Sequence, residues 1–397
     1  MIKEKIFNDT ETAFRLKSDM EINRAVLLFS VMGKPSLIKP GIGLTKFALK
    51  AKLPITPLIK NTIFDQFCGG VTIEDCKPTM DQMDEVNLSS ILDYSVEGKK
   101  TEEEFDSAYK VKLELIELAK EENEVPFAIF KPTALGRFKI WHKVSSHVSL
   151  NDKEKEEWER VQKRVEGLCE KANELKVRLY ADAEESWMQE AADNLMEKMM
   201  AKFNQNDALI FNTFQCYRWD RLEYIKELHA KAKEQGFKIG AKIVRGAYME
   251  KENKRARKRS QKSPICESKE ATDVNFNSVM GYCLDHLEDF SLFIGTHNEI
   301  SNYLALQIME DKGIAKDDQR VWFSQLYGMS DQISYNLAAR GYNTAKLVPF
   351  GPVKDVVPYL LRRAEENSSV KGQTSRELNL LTREKERRKK AENLAQA

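Results

Sequence analysis

The chain has 397 residues, 42% of them hydrophobic and 31% charged, with a formal net charge of +1. That composition excludes wholesale disorder and a membrane-spanning bundle, and so neutral a molecule carries no whole-chain field for a polyanion. Six cysteines, Cys68, Cys76, Cys169, Cys216, Cys266 and Cys283, include no C-x-x-C pair, which fits reduced thiols in a cytosolic compartment.

The opening stretch, MIKEKIFNDTETAF, is acidic early and has no long apolar run, so neither a secretory signal nor a transit peptide is expected. Nor is any window apolar for long enough to span a bilayer. Residues 1–85 read as a helical arm with breaks at KPGIG (39–43) and around FCGG (67–70). Within it, LTKFALKAKLPITPLIK (44–60) is basic and amphipathic. It suits a helix packed on the main domain or a membrane-surface contact.

From residue 86 the pattern changes. Short apolar runs alternate with charged amphipathic stretches of helix length. The runs are SSILDYS (89–95), FAIFK (127–131), RLYAD (178–182), LIFNT (209–213), IGAKIV (239–244), SLFIG (291–295), VWFSQ (321–325) and TAKLVP (344–349). Each is rich in β-branched or aromatic residues and turns polar at its C-terminal end. Strands separated by helices imply βα units, and eight of them are the arithmetic of a (β/α)8 TIM-type barrel over residues 86–370. A doubly wound sheet would call for fewer strands and a phosphate loop, yet neither G-x-G-x-x-G nor G-x-x-x-x-G-K-[ST] occurs. Residues 371–397 form a strongly charged tail, read as a helix or a frayed end.

A barrel places its active face at the C-terminal ends of the strands. Those ends carry Asp93 and Glu97, then Lys131, then Asp182 with Glu184 and Glu185. Gln215 follows, then Lys242, Arg245, Gly246, Ala247 and Tyr248, then Thr296, His297 and Asn298, then Gln325 and Leu326. So many polar ends of mixed charge point to a site for a small polar molecule. The last helix adds Y-L-L-R-R-A-E-E-N (359–367), in which Arg362 and Glu366 are four apart and Arg363 and Glu366 three apart, so that each pair can meet although the adjacent arginines cannot fully share one face. Ordinary surface ion pairs account for such a helix, but adjacent guanidinium forks also suit a carboxylate.

The motifs V-R-G-A-Y (244–248), G-T-H-N (295–298), D-A-E-E (182–185), L-Y-G-M (326–329) and Y-L-x-R-R-x-x-E-N (359–367) occur in this order. As an ordered set they resemble the proline dehydrogenase family over residues 60 to 370, the mitochondrial type more than the catalytic domain of bifunctional proline utilisation A. The resemblance implies a distorted (β/α)8 barrel that binds FAD and oxidises L-proline to Δ1-pyrroline-5-carboxylate by hydride transfer to flavin N5, with electrons passed to a membrane quinone. It implies that Arg362, Arg363 and Lys131 hold the substrate carboxylate. Tyr248, Leu326 and Tyr359 would wall the ring beside Asp182, with Glu97 paired to Arg362 as a gate. Gln215, Lys242, Arg245, Gly246, Thr296, His297 and Asn298 would bind FAD, and Glu366 would meet the cofactor or steady the arginines. The chain is too short for the second dehydrogenase domain of the bifunctional enzymes.

Two positions depart from the family pattern. Lys242 stands where many bacterial relatives carry arginine, so the charge is kept and the planar fork lost. Leu347 stands where proline-specific relatives place a tyrosine against the substrate ring, which opens hydroxyproline as an alternative substrate. Other readings attach to single features. Lys131 suits a Schiff-base lyase, and a non-catalytic barrel that binds a membrane or partner is the alternative from another class. KENKRARKRSQK (251–262) is expected to be a loop after the fifth strand. Without interleaved aromatics it suits solvent or a membrane surface better than nucleic acid. His297 has no metal-ligand spacing around it, so no metal is expected. The implied location is cytoplasmic, with peripheral contact at the inner face of the membrane.

Overall fold

The computed structural model describes residues 5–51, 53, 56–95, 98–369 and 373–395. It divides into two units, residues 1–97 with 325–397, and residues 98–324. Eight strands lie within one or two residues of the runs read from the sequence: β1 Ser89–Tyr94, β2 Phe127–Phe130, β3 Arg178–Ala181, β4 Ile210–Gln215, β5 Ile239–Val244, β6 Phe290–Gly295, β7 Val321–Leu326 and β8 Thr344–Phe350.

In the second unit, β2 to β7 pair in chain order and all in parallel. Parallel neighbours cannot be joined by a hairpin. A helix therefore bridges each pair: Asp152–Leu175, Ser186–Phe203, Arg221–Gln235, Lys269–Asp285 and Glu299–Asp311. The helix starts are written in the sequence. Thr101 and Glu104 form a capping box for the helix Glu102–Glu121, and Asn151 and Glu154 form another for Asp152–Leu175. The second helix ends at Lys176 in the left-handed conformation and buries Val161, Val165, Leu168 and Ala172 on one face. Arg164 ties the two helices together through Glu102 and Asp106, at 2.5 and 2.8 Å.

The strands of this unit enclose aromatic side chains. The Phe127 ring meets Phe293 at 4.9 Å, Phe211 at 5.3 Å and Trp322 at 5.6 Å, each edge to face. Gly240, paired with Phe211 across β4 and β5, leaves room for this layer. A Cβ there would lie 2.5 Å from the Phe211 ring.

In the first unit, β1 and β8 pair in parallel from Ser89 with Ala345 to Tyr94 with Phe350. Its core gathers Phe14, Phe29, Phe67, Val356, Leu360, Leu380 and Leu381, with Leu326 packed against it. Leu380 and Leu381 belong to the helix Gln373–Ala395, so the charged tail is a docked helix. Arg388 donates from it to the carbonyls of Phe14 and Lys17 and pairs with Asp19.

Two expectations are corrected. No break falls at 39–43, because the helix Pro35–Lys50 runs through it. Pro40 removes one backbone donor, but Ile42 and Ala48 are buried and the Thr45 hydroxyl binds the Gly41 carbonyl at 2.9 Å. The basic run after β5 is not a loop but begins as the helix Met249–Lys258. Its first turn is acidic and its last turn basic, matching the helix dipole. The buried Glu252 carboxylate accepts from the Ser186 backbone and hydroxyl, both at 2.6 Å.

Phe127 organises the enclosed aromatic layer, so Phe127→Ala is expected to cost about 3–5 kcal/mol of stability. Denaturant unfolding checks this, and a loss no larger than that of an exposed Phe→Ala change would contradict it.

Candidate active site

Phe130 and Ala181 are register partners at the ends of β2 and β3. The next residues, Lys131 and Asp182, therefore leave adjacent strands at the same level. The Lys131 ammonium lies 2.9 Å from one Asp182 oxygen. Lys242, inside β5, reaches the other Asp182 oxygen at 2.6 Å. The Lys242 nitrogen also lies 3.8 Å from the centre of the Tyr180 ring, so an aromatic floor supports the charged bridge. Burial by itself would raise the Asp182 carboxyl, but Lys131 and Lys242 overcome it and hold the group far below the ordinary carboxylate range.

A second carboxyl stands two residues further on. Glu184 is buried and accepts from the Thr133 amide at 2.9 Å and the Thr133 hydroxyl at 2.6 Å. Burial pushes it up from 4.5 to about 7 against those hydrogen bonds. Its backbone is held as well. The Gln215 amide donates to the Glu184 carbonyl at 2.6 Å, and the Glu184 amide donates to Gln189 at 2.8 Å. The Gln215 oxygen accepts from the Ala247 amide at 3.4 Å, so one side chain links the turns after β3 and β5.

Beyond β5 the chain is tightly determined. Arg245 donates to Asp273 and Thr296, each at 2.7 Å, and to Ser301 at 2.9 Å. Gly246 has φ +130° and lies against Tyr217, whose ring would stand 2.5 Å from a Cβ. Tyr248 precedes the helix Met249–Lys258, and the Lys251 ammonium lies 5.3 Å from its ring centre. After β6, Asn298 caps the helix Glu299–Asp311 by accepting from the Ser301 amide at 3.0 Å. Thr296 is buried and His297 half-buried in the same turn.

The remaining candidates belong to the first unit. Leu326 ends β7, and Leu347 lies half-buried in β8 opposite Ile91. Tyr359 and Arg363 are buried in the helix Val353–Ser369, with the guanidinium 5.0 Å from the Tyr359 ring centre. Arg362 precedes it, half-buried. Glu97 and the Glu366 side chain lie outside the described residues. Among the described residues, no cluster of histidine, cysteine and carboxylate side chains could hold a metal ion.

Sequence reasoning brought Lys131, Asp182, Gln215 and Arg245 to the strand ends, where they lie, and Lys242 to the fifth strand, whose interior it occupies. It missed that Asp182 bridges two lysines, and it overlooked Thr133, the partner of Glu184, and Lys346, a buried lysine in β8. A lysine inside the apolar run TAKLVP was the visible signal for Lys346.

A family model described as proline dehydrogenase matches residues 76–376. The chain belongs to the proline dehydrogenase family. Its enzyme class is accordingly that of a proline dehydrogenase oxidoreductase. It is 35% identical over 323 residues to the carbapenem antibiotics biosynthesis protein CarD of Pectobacterium carotovorum, covering 81% of this chain and 83% of that protein. It is 41% identical over 248 residues to the human mitochondrial proline dehydrogenase 1, covering 62% of this chain and 41% of that protein. A Xenopus laevis hydroxyproline dehydrogenase is 29% identical, with 94% of this chain and 88% of that protein covered. Among solved structures, proline utilization A from Bdellovibrio bacteriovorus matches 94% of this chain and 40% of its own, with TM-score 0.71 and 20% identity. That likeness establishes the (β/α)8 barrel fold.

Glu184 yields a pH prediction. Its folded value, about 7, lies above the ordinary 4.5. Its contribution to stability is therefore full below pH 4.5 and is lost as pH rises through 7. Melting curves should show Glu184→Gln gaining on the parent chain as pH is raised across that window. A constant difference would exclude a raised carboxyl.

Proposed function

We propose that this protein oxidises L-proline to Δ1-pyrroline-5-carboxylate with FAD as its cofactor and a membrane quinone as the next acceptor. The observation that carries the reading is the Lys131–Asp182–Lys242 bridge at the ends of β2, β3 and β5. It keeps two ammonium groups in place, that of Lys242 above the Tyr180 ring. The pairing with Asp182 lowers the cost of holding those charges out of water.

The donor chemistry fits a flavin. Buried polar side chains on or just beyond three neighbouring strands, Gln215, Lys242 and Thr296, accompany a glycine turn at Gly246. Arg245, Thr296, His297 and Asn298 complete the proposed cofactor set, with Glu366 toward its ribityl–adenosine portion. A flavin bound there supplies the hydride acceptor. The protein's part is orientation and charge. Lys242 offers a cation where negative charge arrives on the acceptor. Lys131, Arg362 and Arg363 are the proposed partners of the substrate carboxylate, whose fixation orients the ring carbon next to nitrogen. Tyr248, Leu326, Leu347 and Tyr359 are the proposed walls of the ring, and Glu97 the gate. Lys131 is ion-paired, which is not the free amine that a Schiff base requires.

Hydroxyproline is the second reading, supported by Leu347 and by the relative named hydroxyproline dehydrogenase. Leucine leaves out the phenol that a tyrosine would press on the ring. Peripheral contact with a membrane from the cytoplasmic side belongs to the same proposal. Exposed Met20, Leu27 and Val31 on one helix, with exposed Leu44 and Leu53, support it. No helix among the described residues is long and apolar enough to cross a membrane.

An anaerobic visible spectrum, titrated in parallel with L-proline and trans-4-hydroxy-L-proline, tests the reading. Flavin bands bleached by proline without added nicotinamide are expected. A colourless protein that takes up no added FAD would exclude it. Leu347→Tyr is expected to shift the ratio of reduction rates toward proline by about tenfold, the scale of a changed apolar contact. An unchanged ratio would remove Leu347 from the pocket.

A further inference from the structure

The first unit holds a buried ionic cluster that the proposed reaction does not use. Lys346 in β8 is fully buried. Its ammonium lies 2.8 Å from Asp331 and donates to the Met329 carbonyl at 2.5 Å and the Leu326 carbonyl at 3.3 Å. A lysine ammonium has three protons, and all three of these partners lie in one turn, residues 326–331. Lys17 meets the other Asp331 oxygen at 3.3 Å. Glu377, from the helix Gln373–Ala395, accepts from the Ser330 amide at 2.9 Å and is itself buried. Two lysines and two carboxyl groups therefore surround the turn.

Other contacts leave that turn little freedom. The Gln66 amide donates to the Gly328 carbonyl at 2.9 Å. Gly328 has φ +74°, and a Cβ there would stand 1.8 Å from the Gln66 carbonyl oxygen. The Tyr327 amide donates to the Leu347 carbonyl at 2.9 Å. Leu347 follows Lys346 directly in β8, on the opposite side of the strand. One residue pair of β8 thus holds the turn twice: Lys346 binds it from within, and the Leu347 carbonyl accepts from its Tyr327 amide. An apolar side chain would fill this space at lower desolvation cost. A charged one with three directed donors adds geometry.

We propose that Lys346 is the positioning residue of the substrate-ring wall. Its ammonium sets the 326–331 turn so that Leu326 and Leu347 present a fixed surface to the cyclic imino acid. Glu377 supports that role from the C-terminal helix. The inference rests on the reading of Leu326 and Leu347 as ring walls.

Lys346→Met keeps the length of the side chain and removes its donors. The test combines hydrogen–deuterium exchange over residues 326–331 with flavin content and steady-state kinetics on L-proline and trans-4-hydroxy-L-proline. Faster exchange in the turn is expected, with flavin content held, KM for proline raised about tenfold and kcat changed far less. The kcat/KM ratio between the two imino acids should move as well, which a general loss of stability would not produce. Unchanged exchange overturns the tether, and faster exchange with both KM values unchanged overturns the wall role. If the parent enzyme carries flavin that neither imino acid bleaches, the functional reading falls and takes the wall role with it, while exchange still reports on the tether. Should Lys346→Met not fold, Glu377→Ala, which removes the acceptor of the Ser330 amide, is expected to produce smaller shifts in the same direction. The absence of both shifts would overturn the proposal.

Discussion

A charge taken out of water must be met by another charge or by hydrogen bonds, and each unit of this chain is arranged around that demand. In the second unit, Asp182 stands between Lys131 and Lys242. In the first, Asp331 stands between Lys17 and Lys346. Both carboxyls lie below their ordinary range, although burial by itself would raise them, because the flanking ammonium groups outweigh burial. Remove either carboxylate and two cations lose their partner at once.

The neighbouring carboxyls behave in the opposite way. Glu184 is pushed up to about 7 and Glu377 to about 8, burial being the leading cause in both. The difference is one of partners. Glu184 is met mainly by the Thr133 amide and hydroxyl, while Glu377 stands near the Asp331 carboxylate, whose charge raises it further against Lys346 and the Ser330 amide. For Glu184, neutral donors compensate the buried charge less than a cation would. Each unit thus keeps one carboxyl firmly ionised and another close to neutrality.

The aromatic layer below Lys242 connects stability to chemistry. Phe127, Phe211, Phe293 and Trp322 fill the space between strands, and Tyr180 lies beneath the ammonium. A packed interior of this kind admits no water from below. The Lys242–Asp182 contact, with its lysine side chain 7% exposed, is therefore little screened.

The eight strands and their helices were legible in the sequence because alternating apolar runs and amphipathic stretches report local periodicity. Polar strand ends were legible for the same reason, since a barrel has one active face. The ordered motifs carried the family. Where the reading failed, tertiary contacts overrode local signals. The helix Pro35–Lys50 continues through Pro40 because Ile42 and Ala48 are buried. The basic run after β5 becomes helical with Glu252 anchored on Ser186. Pairings between distant residues left no trace in spacing. Asp182 and Lys242 are 60 residues apart and meet through strand register. Lys346 and Met329 are 17 apart and meet because a strand and a turn are packed together. Composition and order determined which side chains arrive at the strand ends. Only packing decided which of them share an ion pair or a hydrogen bond, because burial and distance are properties of the folded chain.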